Sequence, residues 1–127
     1  ITSTPELAAL RNTKNLVDML KAARPNDKLP MLVLNQVGVP KRPEIPVEDF
    51  AKAVGLPTAL VLPMDVQTFG TAQSNGRMIQ EIAPKSKTAE LLSGFAQTLM
   101  GTAKAEKAPS KGVSSLLQKL PMLRKKS

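Results

Sequence analysis

Two short apolar runs end in polar groups that could grip a ligand. Met31-Leu32-Val33-Leu34 runs into Asn35, and Leu60-Val61-Leu62 runs into Pro63-Met64-Asp65 about one βα unit later. Buried strands that end in a side-chain amide and in Pro-x-Asp present polar groups at the carboxyl edge of an open α/β sheet, where ligands bind. An amide offers acceptor lone pairs and two N–H donors, so Asn35 can read the edge of a purine base. Asp65 can line such a base pocket and also cap the helix that follows.

Other chemistry is thinly represented. The chain has no His and no Cys. That removes the commonest general base, the commonest metal ligand, thiolate sites and disulfides. Glu44, Glu48 and Asp49 lie near the suspected edge, but Glu48 and Asp49 suit the first turn of a helix. Nothing resembles a Ser-His-Asp set or a metal cluster. The phosphate-cradling pattern GxxxxGK[ST] is absent, so the chain alone is expected not to hydrolyse ATP. Lys85-Ser86-Lys87 reads as a solvated helix cap, and Gly76 as a helix-ending glycine.

The elements that would position these groups follow from the pattern. Ser3 or Thr4 can cap a helix, Pro5 suits its first turn and Glu6 completes a capping-box pattern from Ser3, with Leu7, Leu10, Val17 and Leu20 near one face. Pro25-Asn26-Asp27 ends it. Met31–Leu34 is wholly apolar, as a strand covered on both faces should be. A loop spans Gln36 to Pro46, and a short helix runs from Val47 to Val54, stopped by Gly55. Ala59–Leu62 is a second buried strand. A helix from Val66 to Ser74 ends at Asn75-Gly76. Ser86 caps a last helix that carries Leu91, Leu92, Phe95, Leu99 and Met100 and ends at Gly101. Two strands are plain, and Ile1-Thr2 offers the end of a third. The order is that of a βαβ series. Two parallel strands alone would be poorly stable, so the chain is expected to be the C-terminal portion of a larger protein.

The +8 net charge is uneven: residues 101–127 hold seven of the 18 Lys/Arg and one of the 10 Asp/Glu. Basicity therefore belongs to a tail, and nucleic acid is not favoured as a partner. Residues 102–112 read as a flexible polar linker. In residues 113–127, Val113, Leu116, Leu117, Leu120 and Leu123 recur among Lys and Arg, a basic amphipathic segment suited to an anionic membrane surface. Pro121 interrupts it. No run approaches a membrane-spanning length.

Thr4-Pro5-Glu6-Leu7, Leu10-Arg11-Asn12, Leu32-Val33-Leu34-Asn35, Leu62-Pro63-Met64-Asp65, Ala72-Gln73-Ser74-Asn75-Gly76 and Pro84-Lys85-Ser86-Lys87 together resemble, in order and spacing, the CpaE/TadZ pilus assembly proteins. Those proteins belong to the MinD/ParA group of P-loop ATPases. The resemblance covers about residues 1–101. It implies the C-terminal part of a doubly wound parallel α/β sheet, without the phosphate-loop half. It implies that Asn35 contacts adenine and that Pro63 and Asp65 wall the base. ATP or ADP would be bound on the adenine side, and the phosphate loop and Mg²⁺ ligands would lie upstream of Ile1. It further implies a homodimer with the helix bearing Arg11 near its interface, and pilus or secretion machinery as partners. The location would be cytoplasmic, peripheral at the inner membrane or at the cell pole. Two alternatives stand beside it: a ParA/MinD-type ATPase in partitioning or positioning, and an interaction domain that binds no nucleotide.

Overall fold

The computed structural model describes residues 1–101. The linker at 102–112 and the basic tail at 113–127 lie outside the described residues. The elements are β1 (Thr2–Ser3), α1 (Leu7–Ala23), β2 (Leu32–Val37), α2 (Val47–Val54), β3 (Thr58–Pro63), α3 (Val66–Asn75), α4 (Ile79–Ile82) and α5 (Lys87–Leu99). The strands form one parallel sheet in the order β1-β2-β3. Thr2 pairs with Val33, and Val33 with Leu60.

Alternation along β2 explains the layering. Leu32 and Leu34 face one side, where they pack with Val17 of α1 and with Phe50, Val54 and Leu56 in and after α2. Val33 faces the other side with Leu60 and Leu62, and there Leu91, Leu92 and Phe95 of α5 cover them. Both faces of the sheet are thus apolar, which is why β2 reads as a continuous hydrophobic run.

Several expected boundaries recur. α2 ends at Gly55, whose φ of 75° is the left-handed conformation that glycine tolerates. Ser86 caps α5 by accepting a bond from Ala89 N at 3.1 Å. The third strand, expected from Ile1-Thr2, is β1 at Thr2–Ser3.

Other expectations need correction. The capping box from Ser3 to Glu6 does not form: Glu6 is itself the N-cap of α1 and makes no side-chain cap bond. Ser3 lies in β1, and its Oγ accepts a bond from Thr13 at 2.8 Å. Leu7 is exposed, while Thr13 takes a buried position on α1. Leu99 and Met100, at the C-terminal end of α5, are exposed too. The short helix α4 was not anticipated; it has no fully buried residue to announce it.

The β2–β3 ladder is irregular where β2 leaves the core. Leu34 pairs with Val61 and Val37 with Pro63, so β2 carries one residue more than β3 between those pairs. That is a bulge at Asn35-Gln36. Gln36 takes a φ of 55°, unusual for a residue other than glycine. Bulges of this kind re-aim side chains at strand ends. Here the bulge turns the chain at the carboxyl edge of the sheet.

Candidate functional site

The strand ends bring the three expected residues together. Asn35, Gln36, Pro63, Met64, Asp65, Val66 and Phe69 line one cavity of about 180 Å³ at the carboxyl ends of β2 and β3. Whole small-molecule ligands usually occupy roughly 300 Å³ or more. This cavity therefore suits one ring system of a ligand, not an entire nucleotide. Met64, Val66 and Phe69 give it apolar walls. Sequence reasoning missed Gln36, Val66 and Phe69 as lining residues; the position of Val66 and Phe69 in the first turn after Asp65 was the available signal.

Asn35 is half-buried between two cavities. It also borders an open groove of about 400 Å³ formed with Ile1–Thr4 and with Ala9, Asn12, Thr13 and Leu16 of α1. Its Oδ1 accepts a bond from Gln36 N at 2.8 Å. An N–H can be accepted only by the oxygen, so this bond fixes which end of the amide is which. The Nδ2 donors have no partner among the described residues. They are the groups a ligand's ring nitrogen could use.

Asp65 plays a different part. Its Oδ1 accepts from Thr68 N at 3.0 Å, which caps α3. Its Oδ2 accepts from Thr88 Oγ1 at 2.8 Å, and Thr88 is a buried residue of α5. The carboxylate thus ties α3 to α5 while it edges the cavity. Hydrogen bonds from Thr68, hydroxyl and backbone N–H, and then from the Thr88 hydroxyl hold Asp65 below its ordinary carboxylate pKa. Pro63 closes the ladder against Val37, and Met64 N donates to Val37 O at 2.8 Å beside it.

The loop after β2 is locked by charge. Glu44 accepts bonds from Gly38 N at 2.9 Å and Val39 N at 3.0 Å, and it pairs with Arg42 at 2.7 Å. The Gly38 N–H first, then Arg42 and Val39, hold the Glu44 carboxyl below its usual range. This explains why Glu44, read as a carboxylate near the edge, is not available there. Glu48 and Asp49 sit in the first turn of α2 as expected. Lys85 and Lys87 flank the Ser86 cap, and Lys87 pairs with Glu90 across one turn. Among the described residues no three His, Cys, Asp or Glu side chains cluster to hold a metal.

Comparison with solved structures gives these strand ends a context. The chain superposes on a ParA family ATPase from Chlorobium tepidum TLS with a TM-score of 0.66 at 24% identity, over 76% of this chain and 39% of that one. It superposes on the cell division ATPase MinD of Pyrococcus furiosus with a TM-score of 0.66 at 26% identity, over 80% and 41%. The chain has a MinD/ParA-like fold. The MinD cell division protein of Aquifex aeolicus matches with the same TM-score of 0.66 at 17% identity, over 86% and 44%. The chain spans about two fifths of the length of these MinD/ParA structures. No family model matches the sequence, and no curated protein matches it. In this MinD/ParA-like fold the strand-end cavity lies at the sheet edge where open α/β folds take their ligands. Among the described residues no helix is long and apolar enough to cross a membrane.

Proposed function

We propose that this chain supplies the adenine side of an ATP- or ADP-binding site in a pilus assembly and localisation factor of the CpaE/TadZ type. The observation that carries the adenine reading is one cavity at the ends of two parallel strands, edged by Asn35, Pro63 and Asp65, with the Asn35 Nδ2 donors unpartnered by the described residues. Support for a nucleotide comes from the matched structures, which are named as ATPases. Support for the pilus branch comes from the order and spacing of the sequence motifs. Asn35 donates to the base, Met64, Val66 and Phe69 give it apolar contact, and Pro63 with Asp65 fixes the wall. The phosphates and Mg²⁺ are handled by residues outside this set. The complete protein acts by dimerising around nucleotide to position a secretion machine, and the basic segment at 113–127 rests on an anionic membrane.

Two experiments test the reading. In the complete protein, Asn35→Ala should weaken ATP binding by about 1–3 kcal/mol, the cost of one unmatched polar contact. Unchanged affinity by calorimetry removes Asn35 as a base reader. Deleting 113–127 should reduce sedimentation with anionic liposomes, and equal binding without it removes the membrane role.

A further inference from the structure

We infer that Arg42 is a positioning residue that sets the orientation of the Asn35 amide and thereby the preference of the strand-end cavity for adenine. The inference rests on the adenine reading of that cavity. Arg42 lies in the loop after β2, and its side chain is only 18% exposed. Its guanidinium reaches three acceptors from separate parts of the chain. Nη1 donates to Glu6 Oε1 at 3.0 Å at the head of α1. Nε and Nη2 donate to Glu44 Oε1 at 3.2 and 2.7 Å. Nη2 also donates to the backbone carbonyl of Gln36. Arg42 N–H closes the loop on Val39 O at 3.2 Å, and Ile45 N binds Pro5 O at 2.8 Å.

Gln36 is held in a left-handed conformation that a side chain other than glycine rarely adopts. Such a conformation persists only where its surroundings over-determine it. Its carbonyl is gripped by Arg42 and its N–H binds Asn35 Oδ1 at 2.8 Å. The same residue thus connects the guanidinium to the amide. With Oδ1 held, Asn35 keeps its Nδ2 donors and one oxygen lone pair in a fixed arrangement. A paired donor and acceptor matches the N7 and amino group of adenine, whereas guanine shows two acceptors there. Lysine could replace Arg42 only in part, because a single ammonium lacks the planar fork that reaches all three partners.

The test uses the complete protein and calorimetry with ADP and GDP. Arg42→Ala should weaken ADP binding by about tenfold, as expected when a supporting group lets a site loosen. The preference for ADP over GDP should narrow by a similar factor, which a purely structural role would not cause. Arg42→Lys should fall between wild type and Arg42→Ala, and it decides the matter if Arg42→Ala does not fold. The double variant Arg42→Ala/Asn35→Ala should bind ADP no more weakly than Asn35→Ala, since both act through one amide. Losses that multiply in the double variant overturn the inference, as does an ADP preference that both Arg42 variants leave unchanged. If Asn35→Ala itself binds ADP like wild type, the adenine reading fails instead.

Discussion

The two faces of the sheet are built differently. Under α1 and α2, Val17, Leu32, Leu34, Phe50, Val54 and Leu56 are at most 3% exposed and form one continuous cluster. Under α5, Val33, Leu60 and Leu62 are 6–7% exposed and form a smaller cluster, against which the half-buried Leu91, Leu92 and Phe95 pack. The first face is held by packing. The second is held partly by the Asp65 carboxylate, which joins α3 to α5 through Thr68 and Thr88. The candidate site is mounted on polar ties at the rim, where β2 bulges and the Arg42–Glu44 pair locks the loop. A dense core on one side leaves the rim free to carry donors and acceptors.

The sharpest way to break this contrast is to cut each face in turn. Phe50→Ala should cost about 3–5 kcal/mol, because it empties a site with no exposed surface. Phe95→Ala on the other face should cost less, about 1–2 kcal/mol, since that ring is only partly buried. Urea unfolding of both variants measures the difference, and equal losses would erase the distinction between the faces.

Gly55→Ala probes the end of α2. The left-handed φ of 75° should make alanine there destabilising by about 1 kcal/mol. Thermal unfolding checks it, and a neutral result would show that α2 ends without that constraint.

Acid should sharpen the contrast further. Glu44 and Asp65 are both held below their ordinary values of 4.5 and 3.8. A carboxylate with a lowered folded pKa stabilises the fold above its unfolded pKa. That stability is lost as pH falls through the lower folded value. As pH drops below about 4, amide-exchange protection should fall first in loop 36–45 and at the start of α3. Simultaneous loss in α1 would contradict a polar rim on an apolar core. The smallest effect belongs to the exposed Lys14–Asp18 pair: Lys14→Ala should change stability by about 0.5 kcal/mol or less.

These contrasts also explain what was legible in the sequence. α2, β3 and α5 were readable because Gly55, the apolar Ala59–Leu62 run and Ser86 act locally. Asn35, Pro63 and Asp65 were readable as strand-end residues for the same reason. The Ser3–Glu6 capping box misled because tertiary contacts claimed both residues: Ser3 bonds Thr13, and Glu6 pairs with Arg42. Leu7 fitted a helical stripe, yet at the start of α1 it lies off the sheet. The left-handed Gln36 and the reach of Arg42 had no local signature. They arise only when the loop folds back on α1, so the part of the site that depends on them could not be read from spacing.

The central claim is that the cavity between the ends of β2 and β3 receives the base. A structure of the complete protein with ADP tests it most directly. The account predicts adenine between Asn35 and Pro63–Asp65, with Asn35 Nδ2 within hydrogen-bond distance of a ring nitrogen. ADP bound with its base elsewhere, and this cavity empty, would contradict it.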